Sequence, residues 1–287
     1  MRPIDVRHLG RERVICCWQV GDVLIDPGPE SSVETLLDAL DGEAPRAIAL
    51  THIHLDHAGA TGALVRRWPE VEVHVHEGGA PHLADPSKLL ASAGRLYGDD
   101  MDRLWGEVVP VPQDSLRVLR GGETVEGLRV AYTPGHASHH VCYLHEETGR
   151  AFVGDMAGVQ VEPKGPIVPP TPPPDIDLEA WNQSISTIAE WRPESLALTH
   201  FGEVDAPYEH LAQMRDALTH WGTLARELDA SEFEDRVRQE MWDSTREPVL
   251  AGAYVQACPP ELQYLGLDRY WRMRDTDPSG GDRRGAR

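Results

Sequence analysis

Residues 51–57 read Thr51-His52-Ile53-His54-Leu55-Asp56-His57 and follow directly on the short apolar run Ala47 to Leu50. Side chains at i and i+2 of an extended segment point the same way, so His52 and His54 can chelate one cation together. Asp56 and His57, past the bend, can reach a second cation beside it. A histidine-rich string can equally be a solvated loop. Here an apolar strand stands in front, Gly59 marks the exit and a helix begins near Thr61, which argues for a site built at a strand end.

Working outward, three more candidate ligands each end a strand-like run. His136 closes Thr133-Pro134-Gly135-His136 after Leu128 to Tyr132; Asp155 closes Phe152-Val153-Gly154-Asp155; His200 closes Leu198-Thr199-His200. Ligands collected from several strand-end loops onto one rim give a rigid metal site.

The intervening pattern is that of an α/β architecture. Val14 to Val20 and Asp22 to Ile25 read as a hairpin through Gly21, and Ser31-Ser32-Val33-Glu34 has capping-box spacing before an amphipathic helix. Val71, Val73 and Val75 alternate with Glu72, His74 and His76, which predicts a strand with one wet face. Pro86 to Trp105 reads as a helix, Asp177 to Trp191 as another, and Ser195 to Thr199 as the last strand. Pro163 to Pro174 holds seven prolines in twelve residues and must be a stiff, extended loop. From about Asp205 the strand signals vanish and helices are expected over Pro207 to Leu228, Glu232 to Asp243 and Val249 to Ala257.

His52-x-His54-x-Asp56-His57, Thr-Pro-Gly-His136, Gly-Asp155 and Thr-His200, in that order, resemble the metallo-β-lactamase superfamily of dinuclear metallohydrolases. The resemblance covers roughly residues 14 to 204. It implies an α+β fold, an αββα sandwich, as a metal-binding domain over 1–204. A helical C-terminal appendage over 205–274 and a disordered tail over 275–287 complete the expected organisation. It also implies roles: His52, His54 and His136 would hold the first metal, Asp56, His57 and His200 the second, with Asp155 bridging and Asp26, in Leu24-Ile25-Asp26-Pro27-Gly28, buried behind them. True β-lactamases of this fold lack the bridging aspartate, so Asp155 points to the glyoxalase II and lactonase-like branch.

Two divalent metal ions are therefore expected, zinc first, with iron or manganese also compatible with imidazole and carboxylate ligands. A hydroxide shared by two such ions ~3.5–4 Å apart, oriented by Asp56 as the catalytic residue, would attack a carbonyl carbon. The expected activity is hydrolysis of a small thioester, ester or lactone. A metal-dependent phosphodiesterase on a nucleotide or RNA is the alternative enzyme, and a non-catalytic metal- or metabolite-binding protein is the alternative class.

Composition narrows the partners. The chain has 287 residues, 27 Lys plus Arg against 47 Asp plus Glu, and a formal charge of −20, which repels long polyanions and argues against nucleic acid. No stretch approaches the ~20 apolar residues of a membrane helix and none has signal-peptide character, so a cytoplasmic protein is expected. Cys16, Cys17, Cys142 and Cys258 form no CxxC pair, so neither disulfides nor a thiolate site is indicated.

For the substrate, Tyr97, Met101 and Trp105 lie at helical spacing. Such a stripe is commonly core, but here it can also cover the metal cleft and bind an acyl group. Lys164, in the proline-rich loop, can pair with a substrate carboxylate. His139 and His140 read as packing or hydrogen-bonding groups rather than ligands, and His8 has no supporting context. Trp221, Trp242, Tyr254, Tyr264, Tyr270 and Trp271 make the C-terminal helices an expected docking surface, on the main domain or in a homodimer.

Overall fold

The computed structural model describes residues 1–276. Two six-stranded sheets stack face to face with helices on both outer sides. The first holds β1 (Arg2–Asp5), β2 (Cys16–Val20), β3 (Val23–Ile25), β4 (Ala47–Ala49), β5 (Glu72–His76) and β6 (Leu116–Leu119), in chain order. The second runs β12 (Gly202–Val204), β11 (Ser195–Leu198), β10 (Arg150–Gly154), β9 (Val141–His145), β8 (Leu128–Tyr132), β7 (Thr124–Val125).

Burial explains why these strands read as short apolar runs. One face of each sheet meets the other sheet: Cys16, Trp18, Val23, Ile25 and Ala47 pack with Val130, Tyr143, Phe152 and Ala197. The Trp18 and Phe152 rings meet edge to face at 5.8 Å. The opposite faces pack against helices, so strands such as β4 are apolar on both sides.

The helices are α1 (Val33–Ala39), α2 (Leu55–Ala58), α3 (Thr61–Arg67), α4 (Ala80–Ala84), α5 (Ser87–Tyr97), α6 (Met101–Trp105), α7 (Leu178–Glu190), α8 (Pro207–Glu227), α9 (Ala230–Thr245), α10 (Pro248–Ala257) and α11 (Pro260–Thr276). Leu211, Met214, Trp221, Phe233, Tyr254 and Leu267 of the last four helices share one apolar core with the sheets. Trp221 and Tyr254 are buried, Tyr264, Tyr270 and Trp271 pack at the margin of this core, and Trp242 is exposed. None of the helices is long and apolar enough to cross a membrane, among the described residues.

Strand direction positions the site. β3, β4, β5 and β6 are mutually parallel. In the second sheet β8 and β10 are each antiparallel to β9, and β10 is parallel to β11, so β8, β10 and β11 all run the same way. The loops after β4, β8, β10 and β11 carry His52, His136, Asp155 and His200.

Several sequence expectations change. His74 and His76 are buried, not on a wet face, because β5 lies inside its sheet, the β7–β8 turn brings Glu126 to His74, and Tyr132 stacks on His76 at 4.6 Å. The helix expected over Pro86 to Trp105 breaks at Gly98 (φ 51°) into α5 and α6. Ser31 does not cap α1; its hydroxyl donates to the Leu104 carbonyl at 2.6 Å, while a complete capping box forms at Asp229 and Glu232 of α9. The helix α11 lies within the expected helical appendage, though the sequence pattern predicts no separate helix there, and Asp275 and Thr276 of the expected tail complete it; 277–287 lie outside the described residues.

Candidate metal centre

All seven side chains that the motifs singled out converge. Nε2 of His52 and Nε2 of His136 lie 3.0 and 2.9 Å from Nδ1 of His54. Nε2 of His57 lies 3.2 Å from Oδ1 of Asp155 and 3.7 Å from Oδ2 of Asp56. Nε2 of His200 lies 3.3 Å from the same Asp56 oxygen and 3.5 Å from Asp155 Oδ1. Asp155 stands between the two groups, its Oδ2 3.2 Å from Nε2 of His136.

The outward ring nitrogens fix the tautomers. The carbonyls of Pro170 and Val14 can only accept, so Nδ1 of His136 (2.8 Å) and of His200 (2.6 Å) donate to them and their Nε2 lone pairs face inward. His57 Nδ1 donates to Oδ2 of Asp26 at 2.8 Å with the same result. Asp26, itself fully buried, also accepts from Thr51 N (2.8 Å), Thr51 Oγ1 (2.7 Å) and Thr199 Oγ1 (3.0 Å). The threonines preceding His52 and His200 thus tie both ligand loops to one carboxylate. A Thr-His pair at two strand ends was the available signal for them.

This arrangement demands positive charge at its centre. Burial pulls the imidazoles of His57 and His200 down, but the carboxylates of Asp155 and Asp56 outweigh it and hold both above the ordinary histidine range. Burial pushes the Asp155 and Asp56 carboxyls up, and the neighbouring imidazoles reverse the effect and hold both low. His57 Nε2, His200 Nε2 and Asp155 Oδ1 are buried yet make no hydrogen bond. Three potential ligand atoms left without a partner around one point fit divalent cations.

The centre opens into a cavity of about 600 Å³. Tyr97 and Trp105 line it, and with Leu55, Leu89, Ala93 and Leu104 they form an apolar cluster, Leu89 also packing against the main core. Lys164 does not line it: it is exposed on the proline-rich loop, and among the described residues Lys88 of α5 is the only lysine or arginine on the wall. His8, which the sequence left without a role, is on the wall too, stacked parallel on Trp105 at 5.5 Å. His139 also faces the cavity, while His140 is buried behind His52 and bonded to Thr133.

A second imidazole and carboxylate group, Glu72, His74 and Glu126, gathers at the start of β5. Arg117 pairs with Glu72 at 2.6 Å and Arg46 pairs with Glu126, so both carboxylates are already neutralised and leave no charge for a cation. The four cysteines are free and buried, and burial pushes the Cys16 thiol up to about 12, so none is a poised nucleophile.

Comparison with known proteins agrees with this geometry. The family model of the metallo-beta-lactamase superfamily matches residues 21–200. The chain is 32% identical over 223 residues to the metallo-beta-lactamase fold-containing protein ST1585 of Sulfurisphaera tokodaii, spanning 74% of this chain and 81% of that protein. The crystal structure of ST1585 superposes with a TM-score of 0.68 over 93% of this chain and 97% of that one, at 24% identity. The probable metallo-hydrolase YqgX of Bacillus subtilis is 32% identical over 137 residues, 47% of this chain and 60% of that protein. The crystal structure of TTHA1623 in a di-iron-bound form matches with a TM-score of 0.52 and 26% identity, over 68% of this chain and 91% of that one.

Proposed function

The chain belongs to the metallo-β-lactamase superfamily, and from that premise we propose that it is a dinuclear metal-dependent hydrolase of a small ester, thioester or lactone with an apolar acyl group. The observation that carries this reading is the inward set of seven donors, three of them buried without a partner, at the floor of a cavity whose α5–α6 side is apolar. His52, His54 and His136 would hold one ion, Asp56, His57 and His200 the other, and Asp155 both. Zinc suits these ligands, and iron is supported by the di-iron form of TTHA1623. Once bound, divalent cations supply Lewis acidity and lower the pKa of water toward neutrality, which removes the need for a serine or cysteine nucleophile.

The chain's own residues do the rest. Asp26, Pro170 and Val14 hold His57, His136 and His200 with Nδ1 outward and Nε2 turned inward, the orientation in which each ring could ligate a cation once its Nε2 is free of a proton. Asp56 is the most open of the site's carboxylates, 22% exposed against 4% for Asp155, so its free oxygen is the one able to accept a proton-bearing group of the nucleophile. The α5–α6 cluster packs the acyl group and keeps bulk water from the reacting carbon. A wall to which the described residues contribute a single lysine or arginine, Lys88, suits an ester better than a phosphodiester.

The test is metal analysis of the purified chain, then a panel of p-nitrophenyl esters, thioesters, lactones and bis(p-nitrophenyl) phosphate. Expected are two metal equivalents, ester or thioester turnover, and loss of both in His52→Ala and Asp155→Ala. Preference for the phosphodiester, or turnover that survives complete chelation, would overturn the reading.

A further inference from the structure

The proline-rich loop connects the metal centre to the last helix through one peptide group. Seven prolines leave the segment from Pro163 to Pro174 few N–H donors, so it is held mostly by its carbonyls. Tyr254 Oη donates to Pro166 O at 2.9 Å, and Arg269 Nε to Pro174 O at 3.1 Å. Between them lies the Pro170–Thr171 peptide. Its carbonyl accepts from Nδ1 of His136 at 2.8 Å, and its N–H donates to Oε1 of Gln263 on α11.

These two bonds belong to one planar amide. A trans peptide is rigid and carries its N–H and C=O on opposite sides, so it cannot rotate to keep one bond and lose the other. The Thr171 hydroxyl adds bonds to Gln263 Oε1 (3.1 Å) and Gln263 O (3.3 Å), and the Gln263 amide is itself steadied by donating Nε2–H to Pro259 O at 3.1 Å. Thr171 and Gln263 are both buried. At Gly266, one turn beyond Gln263, an added methyl would overlap the Thr171 carbonyl, so the helix is seated directly on the loop.

We infer that Gln263 is a positioning residue for the metal centre: through the Pro170–Thr171 peptide it fixes the ring orientation and tautomer of His136. The inference rests on His136 being a metal ligand. An acceptor on the N–H of an amide polarises the carbonyl on the other side, so the Gln263 contact also makes Pro170 O a better acceptor and His136 Nε2 a stronger electron donor. The C-terminal helices then serve the metal centre itself as well as the core.

Cobalt(II) supplies the readout, through its visible spectrum and its competition with a chelator, independent of turnover. Gln263→Leu removes the acceptor and is expected to weaken one of the two metal equivalents by about 10- to 100-fold, with a changed cobalt spectrum. Trp271→Phe, on the same helix as Gln263 but away from the loop, removes the bond that Trp271 Nε1 donates to Gly222 O of α8. It should lower the melting temperature and leave cobalt affinity unchanged. Should Gln263→Leu fail to fold, Thr171→Val deletes only the hydroxyl bonds and is expected to weaken the same equivalent several-fold. Wild-type cobalt affinity in folded Gln263→Leu, or in Thr171→Val where the leucine variant does not fold, overturns the inference. If the unaltered chain binds no cobalt, the metal-centre reading fails and the inference with it; if it binds two equivalents, only the role of Gln263 is at stake.

Discussion

Nδ1 of His57 lies 2.8 Å from Oδ2 of Asp26, and both side chains are fully shielded from solvent. The same oxygen accepts from Thr51 and Thr199, so one carboxylate at the end of β3 joins the loops after β4 and β11.

Asp26→Asn places an amide donor against an array of donors, and at least one buried bond must break. The expected cost is about 2–4 kcal/mol of stability in the metal-free protein. Metal affinity should fall about 10- to 100-fold as His57 loses its tautomer. Calorimetric unfolding and chelator competition measure the two effects separately.

Metal binding should release protons and weaken in acid. His57 and His200 are held above the ordinary value of 6.5 by Asp155 and Asp56, so in the metal-free protein their pairing stabilises the fold fully below about pH 6.5 and fades as pH rises through the raised values. A cation must displace those protons. The gain in melting temperature on adding zinc is therefore expected to be larger at about pH 8 than at about pH 6; an equal gain at both would contradict the assignment.

His8 works in the opposite sense. Burial dominates over the nearby Asp56 and lowers its imidazole to about 4, so it is neutral in the folded chain and costs stability as pH falls from about 6.5 toward about 4. His8→Phe keeps the stack on Trp105 and removes the titration. It is expected to recover on the order of 2 kcal/mol near pH 4.5 relative to the parent, read from urea unfolding across pH.

Gly135 stands directly before His136 at φ 140°, and an added methyl would overlap the backbone and side chain of Trp181. Gly135→Ala is expected to destabilise the protein by about 3 kcal/mol or more and to shift His136 away from His54. Thermal unfolding and metal content would show both.

Trp105→Ala should act on substrate binding. Opening the α5–α6 wall is expected to raise KM about 10-fold or more for esters of longer acyl chains and little for acetate esters, with kcat nearly unchanged. A uniform loss in kcat would place Trp105 outside the acyl subsite.

The seven side chains that converge, and the strand ends that carry them, were legible in the order of residues, because side-chain chemistry and strand termini are local properties of a few adjacent positions. Burial of β5 was not legible: the alternation of Glu72, His74 and His76 is the same whether a strand faces water or the turn of another sheet. Nor was the cation of the cavity, since Lys164 and Lys88 differ only in which loop or helix folds toward the opening. Gln263 stands 127 positions after His136, and what joins them is one peptide plane placed by packing. Chemistry held in adjacent side chains is written in their order; orientation, exposure and reach depend on which distant segments share a wall, and the tertiary structure alone decides that.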